Sequence, residues 1–475
     1  MGRANGAGTS PAQAWLLPSR TGRMRSPGPH ELTDSMPLRP SDPRPALRRL
    51  RGASADAWTT WRRRTLFLAG GVCVGLAAVL MAKAADAAQE GFRHALHVSP
   101  ALALLLCPAG FALAAWLART VFPNAQGSGI PQVIAARALD DPGARHALIS
   151  LKVAAGKIVV MCLGLLCGAS IGREGPTVQV GAAIMAAFGR LSPERMRGLL
   201  LAGGAAGVAA AFNTPLAGIV FGIEELGRAY DSRGSALIVA AIVAAGLTSL
   251  AILGDYSYFG TTDARLTLTA GWLAVPVLGL AGGLAGGLFS RIVIVFARGL
   301  PGRAGRLVGR HAVLFAALCG LGLALCGLAS SGTVYGTGYE EARAILHGAE
   351  APRWDFAPLK FLATVLSSIS GIPGGLFAPS LAVGAGLGAE ASLLLPHVPV
   401  GALVLIGMVA YLAGVLQAPL TSFVIVTEMT QDHAMMIPLM LAALIADAVS
   451  KAVCRGGLYH TLAEVLVRRA AEPGA

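Results

Sequence analysis

From about residue 65 to 455 the chain is a succession of apolar runs, separated by a few polar residues or by Gly and Pro. Runs such as "TLFLAGGVCVGLAAVLMA" (65–82), "ALALLLCPAGFALAAWLA" (101–118) and "LVLIGMVAYLAGVL" (403–416) approach the roughly 20 residues a helix needs to cross a bilayer. Roughly ten to twelve such runs are predicted to be spanning or re-entrant helices. None shows the polar–apolar alternation of a membrane strand, so the pattern predicts an all-α polytopic membrane protein, a helical bundle.

The pattern also repeats. "GREGPTVQVGA" (172–182) aligns with "GLFAPSLAVGA" (375–385), and "FNTPLAGIVFGIEE" (212–225) with "LQAPLTSFVIVTEM" (416–429), which sets Glu224 on Glu428. "GSGIPQVIAARAL" (127–139) aligns more loosely with "GTGYEEARAIL" (336–346). The offsets are 203, 204 and 209 residues, in order. The chain therefore reads as two related halves, 65–253 and 272–455, joined by a more polar linker, 254–271, and followed by a C-terminal helix and short end, 456–475. Gly and Pro at matching places of two halves point to helices broken inside the membrane. The free N–H groups and positive dipole ends of such helices can hold an anion without a full positive charge. If both are to aim at one ion, the halves must be inserted in opposite directions. "GLAGGLAGGLF" (279–289) instead reads as a surface for close helix packing.

Composition agrees with this class. The 475 residues are 55 % hydrophobic and 13 % charged, and mean hydropathy is +0.64. Of the net charge of +13, residues 1–64 contribute 12 arginines against four acids, a net of +8. This Pro-, Ser- and Gly-rich stretch reads as a disordered tail held in the cytoplasm by its positive charge, not as a nucleic-acid arm. No apolar h-region opens the chain, so no cleaved signal peptide is expected. Cys73, Cys107, Cys162, Cys167, Cys319, Cys326 and Cys454 lie in or beside apolar runs without Cys-x-x-Cys spacing, and read as small buried hydrophobes. No metal-binding pattern is present, and no cofactor is expected.

"GSGIP" (127–131), "GREGP" (172–176) and "GGLFAP" (374–379), with a late tyrosine in "GGLYHTLAEVL" (456–466), resemble the ion-pathway motifs of the CLC family of chloride channels and chloride/proton antiporters. The resemblance spans nearly all of the chain beyond the tail. It implies an inverted-repeat bundle of tilted, partly spanning helices, and a homodimer with one pathway per subunit in the cell's inner membrane, both termini cytoplasmic. It implies that Ser128 and Tyr459 donate hydroxyls to a central chloride, and that the N–H groups of Leu376 and Phe377 complete that site. It makes Glu174 the gate, with Arg173, Glu174 and Gly175 offering N–H groups to an outer anion site, and Glu225 the inner proton-transfer residue. The physics is compatible: dipolar donors bind chloride weakly enough to release it. A carboxylate can occupy the same helix-end site and leave it when protonated.

Other readings stand beside these. Glu174 pairs structurally with Arg173, or Glu225 belongs to a solvated helix end with Glu224 and Arg228. Lys157 either raises the local potential or snorkels, and Asp447 and Lys451, four apart, pair with each other. Gln132 and Ile134 stand where several bacterial antiporters have acids, which leaves a passive chloride channel as the alternative to proton-coupled antiport. Ser128 resembles chloride-preferring members. The chain ends 16 residues after Tyr459, as expected of a compact form without cystathionine-β-synthase domains. A remote alternative is an intramembrane hydrolase, because "GASIG" (168–172) fits a nucleophile elbow around Ser170; that motif needs a strand-to-helix turn.

Overall fold

The computed structural model describes residues 44–471 except 192, 228–234, 255–257, 263, 267–269 and 350–352. Two compact units are distinguished, Met1–Ala57 and Trp58–Ala475, and the second holds the helical bundle. Among the described residues there is no strand. Of the basic stretch 1–64, residues 1–43 lie outside the described residues, and a helix begins at Arg44.

The first half contains α1 (Arg44–Val98), α2 (Ala103–Thr120), α3 (Ile130–Ala138), α4 (Pro142–Leu148), α5 (Leu151–Leu166), α6 (Glu174–Gly189), α7 (Met196–Phe212), α8 (Pro215–Phe221) and α9 (Ser235–Leu253). The second contains α10 (Ala274–Arg298), α11 (Gly302–Arg310), α12 (Ala312–Ala329), α13 (Tyr339–Leu346), α14 (Phe356–Ile369), α15 (Phe377–Ala391), α16 (Val400–Leu416), α17 (Pro419–Thr430) and α18 (Met436–Val453). α19 (Leu458–Ala471) comes last. Among the described residues seven helices are long and apolar enough to cross a membrane, while α14 and α16 are apolar but shorter. α6, with 16 residues, and α15, with 15, are about 24 and 22 Å long at 1.5 Å per residue, so each stops short of a full crossing.

The repeat predicted from Gly and Pro positions is present in the backbone. α7 ends on Asn213 and α16 on Gln417, both left-handed at φ 57° and 56°. The next residues, Thr214 and Ala418, share φ −129° and ψ near 80°, and then Pro215 and Pro419 open α8 and α17.

The halves are inverted, and two contacts show it. Gly172 and Gly375, equivalent residues, donate their N–H groups to each other's carbonyl at 2.7 Å, an antiparallel bridge. The aligned acids exchange caps in the same way. Glu224, just after α8, accepts from the Leu420 and Thr421 N–H groups at the start of α17 (3.1 and 2.6 Å). Glu428, near the end of α17, accepts from Leu216 and Ala217 at the start of α8 (3.1 and 2.7 Å). Each helix thus has its end at the other's beginning, so the two equivalent helices run antiparallel. The orphan N–H groups of both helices are satisfied, as lipid surroundings require.

Glycine sets the packing distance. α6 crosses α7 where Gly181 meets Gly203, and α15 crosses α16 at the equivalent pair, Gly384 and Gly407. A Cβ on any of these four would lie 2.3–2.5 Å from the partner's carbonyl oxygen. "GLAGGLAGGLF" is a two-sided version on α10: Gly282 and Gly286 meet Ala410 and Gly414 of α16, and Gly283 and Gly287 meet α18 at Ala446 and Ser450.

Gly203→Ala is accordingly expected to force α6 and α7 apart, lowering stability by about 1–3 kcal/mol. Thermal unfolding of the detergent-purified variant would show a reduced midpoint; an unchanged one would mean that the crossing is not close-packed.

Candidate functional site

α3, α6 and α15 all begin in the buried interior, and their first turns converge. Arg173 before α6 and Leu376 before α15 have nearly the same backbone (φ −99°, ψ −13° and φ −107°, ψ −12°). Pro176 and Pro379 sit in the first turns, where a missing N–H costs no intrahelical bond. The exchange between Gly172 and Gly375 brings the two positive helix ends together.

Glu174, the first residue of α6, is fully buried at this junction. Its Oε1 accepts a hydrogen bond from the Tyr339 hydroxyl at 2.8 Å. Its Oε2 lies in a notch: a Cβ on Gly172 would come 2.1 Å from it, and one on Gly375 3.1 Å. This oxygen makes no hydrogen bond of ordinary geometry, although the N–H groups of Glu174 and Ala378 are in reach of the carboxylate. The pairing with Arg173 offered by the sequence is not a direct one. The Arg173 guanidinium turns away to Ala82 O (2.9 Å), Asp86 (2.8 Å) and the Tyr258 hydroxyl. It acts on Glu174 through space.

Ser128 lies between Gly127 (φ 67°) and Gly129 (φ 104°), the residue that precedes α3. A Cβ on Gly129 would lie 2.7 Å from Gly175 O, and one on Gly175 would lie 2.4 Å from Ser128 Oγ. Only glycines let the two loops approach this closely. The Tyr459 ring, at the start of α19, stacks on Phe377 (centroids 6.5 Å apart, planes at 24°). Its hydroxyl faces that of Ser128, and neither completes a hydrogen bond of ordinary geometry although both are buried. Ser128, Tyr459, Leu376, Phe377, Glu174 and Gly175 are therefore brought together.

Lys157 does not snorkel. It is fully buried on α5, and its Nζ donates to Gln126 O and Gly127 O (3.1 and 2.8 Å), holding the loop that carries Ser128. Lys360, its equivalent on α14, does the same for the loop before α13, donating to Val334 O and Gly336 O at 2.9 Å each.

Glu225 lies beside His460, the residue after Tyr459. Glu224 and Glu225 both lie in a single π-helical turn, Gly222–Leu226, and as adjacent helical residues they face different ways. Glu224 goes to α17, whereas Glu225 is 4 % exposed, with one oxygen 3.2 Å from His460 Nδ1. It is not a solvated helix end. Arg228 lies outside the described residues. Gln132 is buried and donates to Gln126 O at 2.6 Å.

Asp447 and Lys451 pair at 2.6 Å. All seven cysteines are free thiols. Ser170 sits in the buried turn before α6, its hydroxyl 3.0 Å from that of Thr364, not on a strand-to-helix elbow. No cluster suited to a metal ion occurs among the described residues. Tyr339, Tyr258, Asp86, Lys360 and His460 were not singled out from the sequence. For Tyr339 and Lys360 the repeat held the signal: one directly follows the "GTG" that matches "GSG", and the other lies 203 residues after Lys157.

A family model described as voltage gated chloride channel matches residues 110–451. The H(+)/Cl(-) exchange transporter ClcA of Yersinia pestis bv. Antiqua (strain Angola) is 32 % identical over 430 residues, covering 82 % of this chain and 85 % of the relative. The protein of the same name from Cronobacter sakazakii (strain ATCC BAA-894) is 33 % identical over 437 residues, covering 85 % and 89 %. A solved slow cyanobacterial Cl-/H+ antiporter has the same fold, with a TM-score of 0.74 over 87 % of this chain and 99 % of that one, at 24 % identity.

Lys157→Met keeps the apolar stem but leaves two buried carbonyls without their donor. A loss of about 1–3 kcal/mol is expected, against less than about 1 kcal/mol for Lys451→Met at its partly exposed pair. Parallel melting curves in detergent would check the order; equal shifts would contradict the holding role of Lys157.

Proposed function

The chain belongs to the voltage-gated chloride channel (CLC) family, and from that premise we propose that it exchanges chloride for protons across the membrane, with Glu174 as the gate and Glu225 as the inner proton acceptor. It is a multi-pass transporter, not an enzyme. The observation that carries the reading is the position of the Glu174 carboxylate. It lies where two opposed helix N-termini meet, in a notch without a Cβ on either wall. That is a place made for an anion, and the side chain fills it.

The mechanism follows from this. While charged, Glu174 occupies the anion position and excludes chloride. Once protonated, it no longer competes for the positive helix ends and can leave, and chloride takes its place. The buried hydroxyls of Ser128 and Tyr459, without full partners in the protein, are suited to donate to that chloride. The N–H groups of Leu376 and Phe377 complete this central site, and those of Arg173, Glu174 and Gly175 serve an outer one. A proton released from Glu174 is passed towards Glu225. His460, partly exposed, stands beside Glu225 with its Nδ1 3.2 Å from one carboxylate oxygen.

The arginines of residues 1–64 support an N-terminus in the cytoplasm of a cell whose inner membrane holds the protein. The single crossing by α1 then carries Val98 to the outside. We assign a homodimer on the family resemblance.

Reconstitution in sealed liposomes tests the exchange. A chloride gradient is imposed and external pH recorded, with potassium and valinomycin setting a voltage at which passive proton leak runs opposite to coupled flow. Proton movement against the leak is expected, and is lost in Glu174→Ala and Glu225→Ala while chloride still passes. Chloride flux without uphill proton movement in the unmodified protein would make it a passive channel and remove the role of Glu225.

A further inference from the structure

A cavity of about 730 Å³ opens above the gate, lined by Lys83 and Asp86 of α1 together with Arg173, Tyr258 and Tyr339. With the N-terminus cytoplasmic, these α1 residues lie towards the outside, so the cavity is the external vestibule. Glu174 does not line it. Between vestibule and carboxylate stands Tyr339, the first residue of α13, half-buried, with its hydroxyl turned inward to Glu174 Oε1 at 2.8 Å.

The ring is held from two sides. Its centroid is 4.2 Å from that of Tyr258, with planes at 46°, and 5.5 Å from that of Phe259, with planes at 58°. Tyr258 is in turn fixed through its hydroxyl by the Arg173 guanidinium, which Asp86 anchors. A chain of contacts thus runs Asp86, Arg173, Tyr258, Tyr339, Glu174, with the phenol hydroxyl the only side-chain hydrogen-bond donor to the gate among the described residues.

We propose that Tyr339 is a latch on the external face of the gate: by donating its hydroxyl to the docked carboxylate, it sets how acid the outside must be before Glu174 releases the anion position. The proposal rests on Glu174 being the gate. A hydrogen bond to a charged acceptor is stronger than one to its neutral form. Tyr339 therefore favours the docked, charged state, and its loss makes proton uptake and release of the gate easier. The other charged or titratable groups facing Glu174 are Arg173, Tyr258 behind Tyr339, and Tyr459 from α19; α15 presents the apolar Phe377 and Ala378. Glu341, on α13 itself two residues after Tyr339, interacts with Lys360 of α14. None of these changes in Tyr339→Phe, which also keeps the ring packing.

The test measures chloride flux from liposomes as a function of external pH for four proteins: unmodified, Tyr339→Phe, Glu174→Gln and the double variant. Tyr339→Phe is expected to move the pH of half-maximal flux upward by about one unit, tenfold in the protonation equilibrium. In the Glu174→Gln background the same change is expected to do nothing. Tyr335→Phe, whose hydroxyl donates to Ala324 O instead, is expected to leave the profile unmoved. If Tyr339→Phe keeps the original profile while Glu174→Gln flattens it, the gate reading stands and the latch is refuted. If Glu174→Gln retains the pH dependence, the gate reading fails and the latch falls with it.

Discussion

Two glycines, 203 positions apart, exchange backbone hydrogen bonds, and the rest of the molecule is arranged around that exchange. Because Gly172 and Gly375 are equivalent, their bridge places the local two-fold between them. The helices that come next, α6 and α15, must then point their N-termini at a common place. Two positive helix ends brought together repel unless something negative lies between them. A carboxylate at membrane depth, ordinarily a cost, is here the counter-charge that the backbone geometry demands. The side chain suited to that position is one that can surrender it.

The scaffold is symmetric but its chemistry is not. Equivalent positions carry Glu174 and Phe377, Ser128 and Thr337, Ile130 and Tyr339, Glu225 and Met429. Thr337 gives its N–H and hydroxyl to Gln89, where Ser128 keeps its hydroxyl without a full partner. What the halves share is what shapes the backbone: the glycine crossings, the crossed caps of Glu224 and Glu428, and the buried lysines that hold the two loops. What they do not share leaves the site with one carboxylate and one pair of incompletely partnered hydroxyls.

The parts legible in the sequence were those that act on the backbone locally. Gly and Pro announce breaks wherever they stand, so the broken helices and the repeat could be read from spacing, while Ser128, Glu174 and Phe377 were picked out within those breaks by the family resemblance. Inversion could be reasoned only from what an anion site requires, because direction appears in contacts such as Glu224 with α17 and not in any one segment. Lys157 looked equally suited to snorkelling until its two carbonyl partners, some thirty residues earlier in the chain, were placed. For Tyr339 the repeat marked the position, but its role was illegible for a related reason. Its partner lies 165 residues away, and an aromatic opening a short helix has no local mark of that role. Glu224 and Glu225, adjacent and identical in type, face different neighbours because successive residues of a helix point in different directions, and which neighbour each meets is decided by distant segments.

The crossed caps bear on how the protein is made. Glu224 finds its partners at residues 420 and 421, and the start of α8 waits for residue 428. At about 5–20 residues per second, roughly 10–40 s of translation separate the two halves of this contact. Throughout that interval the first half sits in or beside the membrane with unsatisfied N–H groups and an uncommitted acid. These caps cannot be completed before the second half is made. A ribosome stalled within that window would leave a half-transporter whose exposed polar edge makes it a substrate for quality control.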